Sequence, residues 1–162
     1  MIIHLDLDGV LADFDTGFKQ HTGRDISSFA TPGEFWKFAQ EFAHLYARLP
    51  MMHDAPILIS AVRQVSVEFG FKVEILTALP SLEKMPHAAK DKEDWVRKHC
   101  PFGWKFKVGP HAVDKQNHAK PGDILIDDKA RNIAQWQAAG GIGIWHTSAA
   151  SSVKQLKTLL KG

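Results

Sequence analysis

The absences in this sequence narrow it first. A single cysteine, Cys100, excludes an intrachain disulfide framework and a cysteine-built zinc cluster. No apolar run approaches the roughly 20 residues that a membrane helix needs, so no membrane partner is expected. Charge of one sign is also missing. With 20 basic and 18 acidic residues the formal charge is +2, too small a surplus to make stable nucleic-acid binding the expected role. Lys154, Lys157 and Lys161 recur at helical spacing and read as one solvated helix face. There is no internal repeat and no low-complexity segment. Nine histidines are present, but none is paired as H-x3-H or HExxH, so they read as scattered rather than as a metal site. The opening Met1-Ile2-Ile3-His4-Leu5-Asp6 lacks a basic region and meets an acid at once, unlike a secretory signal, so a cytoplasmic protein is expected.

What is present is the composition of an ordinary globular domain. With 162 residues, 44% of them hydrophobic, the chain has room for one core, and a chain of this size buries roughly two-thirds of its unfolded surface. Short β-rich runs occur at Ile2–Leu5, Val73–Leu76, Ile124–Ile126 and Ile142–Trp145. They lack clean alternation and are bounded by polar or turn residues, as buried parallel strands are. Trp104, Phe106 and Val108 alternate with Lys105 and Lys107, which predicts an edge strand guarded by lysines.

Helical spacing fills the intervals. Leu58, Ala61, Val62, Val65 and Phe69 predict a helix that Gly70 ends. Trp95, Val96 and His99 mark another before Pro101, Ile133 and Trp136 a third before Gly140-Gly141, and Val153, Leu156 and Leu160 the last. Gly140-Gly141-Ile142-Gly143 follows a helix and precedes a strand. That is the reverse of a dinucleotide fingerprint, and it reads as a helix end with tight packing. Strands alternating with helices predict an α/β fold, a parallel sheet covered on both faces.

One stretch breaks the alternation. Between Asp13 and His53 there is no good strand. Thr31-Pro32-Gly33 reads as a turn, and Phe35, Phe38, Phe42, Leu45 and Leu49 follow a helical stripe. This predicts a small helical cap, about residues 15–53, set into a single domain whose core is 1–14 and 54–162. An insertion directly after the first strand lies above the carboxyl ends of the strands, where open α/β sheets bind ligands.

Asp6 and Asp8 follow the first strand, and Asp127-Asp128 follow the strand Ile124–Ile126. In a parallel sheet these ends share one edge. One Asp after a strand is commonly a turn former or helix cap, but two doubly acidic ends call for more. Two carboxylates about 4 Å apart repel by roughly 4 kcal/mol at an effective dielectric of 20. A divalent ion would offset that. Oxygen-only ligands in an open site suit Mg2+, and Mg2+ commonly accompanies a phosphate.

The stretch Asp6-Leu7-Asp8-Gly9-Val10-Leu11-Ala12-Asp13-Phe14 resembles the first motif of the haloacid dehalogenase (HAD) superfamily of aspartyl-phosphate phosphatases, and more narrowly its 5'(3')-deoxyribonucleotidase branch. Leu76-Thr77-Ala78 is similar to the second motif, Lys92 to the third-motif lysine, and Leu125-Ile126-Asp127-Asp128 to the fourth, in the family's order from residue 6 to 128. The resemblance implies a HAD-like Rossmannoid three-layer fold and Mg2+-dependent hydrolysis of a small phosphomonoester, most naturally a nucleoside monophosphate. It implies Asp6 as nucleophile and Asp8 as general acid, with the Asp8 backbone carbonyl on the metal. Asp6 and Asp128 would hold the metal directly. Asp127 would lie behind them, orienting Lys92 or a metal water. Thr77 would donate its hydroxyl to a phosphoryl oxygen, and Lys92, with Lys90 as its competitor, would neutralise the phosphate and Asp6 together.

Lys115 matches a phosphate- or substrate-contacting lysine of the branch, although Val113 stands where the branch has an arginine. Ala78 replaces a second hydroxyl that the nucleotidases often carry. Phe14, Phe35 and Trp36 are the base-contact candidates. Phe35 falls on the cap's own stripe, while Trp36 lies off it. Two other readings stay open: the same catalysis on another small phosphate or a nucleic-acid 3'-phosphate end, and a HAD-fold binding module without catalysis.

Overall fold

The computed structural model describes residues 1–109 and 111–161. Five parallel strands form one sheet in the order β3-β2-β1-β4-β5, namely β1 Ile2–Leu5, β2 Lys72–Ala78, β3 Lys105–Gly109, β4 Ile124–Asp127 and β5 Ile142–Trp145. Three of the four runs that lacked alternation are the central strands β1, β2 and β4, and β4 is buried along its whole length, whereas the fourth, β5, lies at an edge of the sheet and is only partly buried. The lysine-guarded run is β3, at the sheet's edge. The chain leaves β1 for β2 and β3 on one side and returns to β4 and β5 on the other. The switch in direction between β1 and β4 opens a crevice at their carboxyl ends.

The helices are α1 Phe14–Thr22, α2 Pro32–Ala39, α3 Ala55–Phe69, α4 Ala88–His99, α5 Ala130–Ala138 and α6 Ala149–Leu159. Leu58, Val62 and Val65 turn the expected face of α3 inward, and Gly70 ends it in the left-handed conformation. On the opposite face Trp136 of α5 packs with Leu76, Leu125 and Ile133. A side chain on Gly141 would stand 2.2 Å from the Trp136 indole nitrogen, so the glycine there serves packing. Among the described residues no helix is long and apolar enough to cross a membrane.

The segment between β1 and α3 differs from its stripe. Thr31 does not sit in a free turn: it caps α2, accepting a hydrogen bond from the Glu34 amide, and Pro32 starts the helix. The helix then stops at Ala39. His44 takes a left-handed φ of 58°, and Tyr46–Arg48 form one 3-10 turn. The stripe breaks because its two ends face different partners. Phe35 packs against Phe14 and Phe18 of α1, whereas the Leu49 carbonyl accepts the Trp95 indole N–H of α4 at 2.8 Å.

Candidate active site

Strand register assembles the acidic edge. Leu5 lies opposite Ile75 on β2 and Ile126 on β4. The next residue, Asp6, is therefore brought beside Asp127, with its amide donating to the Ile126 carbonyl at 2.9 Å. Thr77 ends up nearby on β2. Past Asp6 the chain turns back on the Leu7 carbonyl, which accepts from the amides of Leu11 and Ala12 at 2.8 and 2.9 Å. Leu7, Val10 and Leu11 bury themselves beneath this loop, leaving Asp6 and Asp8 on its rim. Gly9 has φ 81°, and a side chain there would stand 2.7 Å from an Asp128 carboxylate oxygen. Only glycine lets the first loop and the fourth strand's tip approach this closely.

Among the described residues Asp6, Asp127 and Asp128 bring carboxylate oxygens within 4.8 Å of one another. Asp6 is buried, and burial is the main reason its carboxyl is pushed up to about 7; Lys115 opposes the shift, while Asp127 and Asp8 add to it. Lys115, itself buried, puts its Nζ 2.7 Å from Asp6 Oδ1 and 2.7 Å from Asp127 Oδ2. Burial would lower this ammonium, but Asp6 and Asp127 outweigh it and hold it above the usual lysine value.

Asp127 is enclosed. Its Oδ1 accepts from the Lys129 amide at 2.8 Å, and both its oxygens accept from Asn132 Nδ2 at 3.0 and 2.9 Å. Asp128 is different. Its Oδ2 meets Lys129 Nζ at 2.6 Å, but its Oδ1 is buried with no hydrogen-bond partner. A buried, unpartnered carboxylate oxygen beside Asp6 is costly among protein groups alone, and it is the donor a hard cation requires. The all-oxygen set therefore fits Mg2+. Asp6 and Asp128 have the free oxygen capacity, and Asp127 spends its own on Lys115 and Asn132.

The two lysines divide differently from expectation. Lys92 does not pair with Asp6. Its Nζ contacts Asp8 Oδ2, Thr77 Oγ1 at 3.1 Å and the Ala78 carbonyl at 2.7 Å. The cation beside Asp6 is Lys115, and among the described residues the lysine ammonium on Asp127 is Lys115 as well. Ala78 contributes its carbonyl. Lys90 points elsewhere, to Asp94. The length of a lysine stem explains the exchange: from α4 it reaches the β2 side of the crevice, and from the 3-10 helix Ala112–His118 it reaches the β1–β4 side.

A cavity of about 380 Å3 opens beside this edge. Its floor carries Asp8, Gly9 and Asp128, and its apolar wall carries Phe14, Phe35 and Trp36. Phe14 and Trp36 are half-buried, whereas Phe35 is buried in a ring cluster with Phe14, Phe18, Phe29 and Trp36. The wall also includes Ile26, Tyr46 and Met52, which sequence reasoning missed. Tyr46 is buried, and its ring centre lies 4.5 Å from Lys92 Nζ. Asn132 was also missed. Its one sequence signal is its place beside Ile133 on the inward face of α5.

Comparison with known proteins agrees with this geometry. Residues 1–153 match the family model described as 5' nucleotidase, deoxy (pyrimidine), cytosolic type C protein (NT5C). Among curated proteins, none matches the chain in sequence. The fold is similar to that of a hydrolase from Streptococcus pneumoniae TIGR4, with a TM-score of 0.58 and 14% identity over 99% of this chain and 98% of that one. It is also similar to D,D-heptose 1,7-bisphosphate phosphatase from B. bronchiseptica, solved with magnesium and phosphate, with a TM-score of 0.55 and 12% identity over 98% of each chain.

Proposed function

The chain belongs to the HAD-like family of deoxy (pyrimidine), cytosolic type C 5' nucleotidases and is a hydrolase of phosphoric monoesters; from that premise we propose that it is a cytoplasmic, Mg2+-dependent nucleoside monophosphate phosphatase acting through an aspartyl-phosphate on Asp6. The observation that carries this reading is the pairing of an ionisable, enclosed Asp6 with an aromatic-walled cavity at the same strand edge. The family name and the ring wall of Phe14 and Trp36 support a nucleotide, since stacking a base on a ring is worth roughly 1–3 kcal/mol.

In this mechanism an Asp6 carboxylate oxygen attacks phosphorus, and the bond from phosphorus to the ester oxygen breaks. The leaving alkoxide takes its electron pair and a proton from Asp8. Asp8 then removes a proton from water as that water attacks the aspartyl-phosphate, releasing inorganic phosphate and restoring Asp6. Asp6, Asp128 and the Asp8 backbone carbonyl would hold Mg2+, with Asp127 behind them. When bound, the ion would neutralise charge on the carboxylates and on the phosphoryl oxygens. Lys115 holds Asp6 in position and offsets charge on the phosphoryl group. Thr77 presents its hydroxyl to a phosphoryl oxygen. Lys92 fixes the Asp8 carboxylate for proton transfer. Fixed donors of this kind carry most of the stabilisation in a largely dissociative phosphoryl transfer.

The test is phosphate release from deoxynucleoside monophosphates and from sugar phosphates, each with Mg2+ titrated in. The reading expects nucleotides to be favoured, Mg2+ to be required and Asp6→Asn to be inactive. Equal rates on both substrate groups would remove the nucleotide assignment, and an active Asp6→Asn variant would remove the aspartyl-phosphate.

A further inference from the structure

The return limb of the insertion, residues 44–49, lies against α4, the helix that carries Lys92. Three contacts stitch the two together. His44 Nδ1 donates to Asp91 Oδ1 at 2.8 Å, the Lys92 ammonium sits over the Tyr46 ring, and the Trp95 indole N–H donates to the Leu49 carbonyl at 2.8 Å. The first contact joins a half-exposed histidine to a buried carboxylate. His44 is the non-glycine residue with a left-handed φ among the described residues, at 58°, a conformation that L-residues adopt at a cost. Asp91 is buried, and a buried carboxylate needs a donor; its side-chain donor is His44. The His87 ring, at the N-cap of α4, stacks on His44 with centroids 4.4 Å apart and planes at 28°.

We propose that His44 is a positioning residue: its bond to Asp91 clamps the return limb onto α4 and so holds Lys92 against Asp8. The inference deepens the phosphatase reading above and rests on it. Tyr46 follows His44 by two residues and walls the Lys92 stem. With the clamp open, the Lys92 ammonium is free to redistribute among Asp8, Thr77 and the Ala78 carbonyl, and Asp8 loses its fixed orientation toward the leaving oxygen. The consequence depends on the leaving group. A nucleoside alkoxide needs the proton from Asp8, whereas a nitrophenolate departs without it.

The experiment compares wild type, His44→Gly and Asp91→Asn, with Mg2+ present, on a deoxynucleoside monophosphate and on p-nitrophenyl phosphate. It also measures hydrogen exchange of the Trp95 indole N–H. Glycine accepts the left-handed φ, so His44→Gly keeps the backbone path while removing the clamp. Asp91→Asn keeps an acceptor oxygen for His44. The expected result for His44→Gly is a fall of about tenfold in kcat on the nucleotide, less than about threefold on the aryl phosphate, and exchange at Trp95 faster by about tenfold. Asp91→Asn is expected to stay within about threefold of wild type in all three readouts. Equal losses on both substrates, or an unchanged Trp95 exchange rate, would overturn the proposal. A wild type that releases phosphate from neither compound would bring down the phosphatase reading and the positioning role together, while Trp95 exchange still reports whether the clamp itself exists.

Discussion

The acidic edge between β1 and β4 and the aromatic segment from α1 to Leu49 face each other across one cavity, and they are held by different forces. The edge is set by strand register. Asp6 and Asp127 meet because Leu5 lies opposite Ile126, and the edge concentrates like charge, with Asp6 and Asp127 sharing one buried lysine, Lys115, while Lys92 meets Asp8 and Lys129 meets Asp128. The segment is set by ring packing and a few stitches to α4. On the proposed function, chemistry belongs to the side that folding disfavours and substrate fit to the side that folding favours. Variants of the edge's carboxylates should therefore separate activity from stability, whereas variants of the lysine that offsets them should lower both, and variants in the segment should move the two together or alter binding alone.

Asp6→Asn breaks the comparison hardest. Loss of the nucleophile should lower kcat by about 10⁴-fold or more, read as phosphate release. The stability effect has the opposite sign. The folded carboxyl is raised from 3.8 to about 7, so the stability tied to this group is complete below 3.8 and is lost as pH rises toward 7. At pH 8 without Mg2+ the variant should melt about 2–4 °C above wild type. Adding Mg2+ should close that gap.

Lys115→Met comes next and moves activity and stability the same way, because it strands Asp6 and Asp127 as buried charges. Removing one partner of a buried pair costs about 3–5 kcal/mol, so denaturant unfolding should show a large loss, with kcat reduced as well. Trp36→Ala tests the other region. It should raise KM for a nucleotide roughly tenfold, from the lost base stacking, and leave kcat near wild type. An equal rise in KM for a sugar phosphate would show that Trp36 does not face a base.

The smallest effect lies away from both regions. His4 is buried between Glu74 and Asp123, and burial lowers its pKa from 6.5 to about 4 against the pull of both carboxylates. A lowered histidine contributes stability above 6.5 that is lost as pH falls toward 4. His4→Gln should flatten the melting temperature across that window, measured by thermal melts from pH 7 to 4.

The same division explains what the sequence made legible. The strands, the lysine-guarded edge and the two acidic tips could be read because each depends on neighbours in the chain or on a fixed period. Which carboxylate each lysine contacts could not be read from spacing: two long side chains from different elements enter one crevice, and only three-dimensional placement sets Lys115 beside Asp6 and Lys92 beside Asp8. The Phe35–Leu49 stripe runs unbroken in the sequence because periodicity does not record that Phe35 and Leu49 have different partners. Asn132, Tyr46 and the left-handed His44 carry no local signature, since each acts through a contact distant in sequence.

The central claim is that β1 and β4 deliver Asp6 and Asp128 to one magnesium ion beside the reacting phosphate. It is tested most directly by a crystal structure of the protein with Mg2+ and inorganic phosphate. The account predicts the ion about 2.1 Å from an Asp6 oxygen, Asp128 Oδ1 and the Asp8 carbonyl, with phosphate between it and Lys115. An ion bound away from Asp6 and Asp128, or phosphate seated outside this crevice, would contradict it.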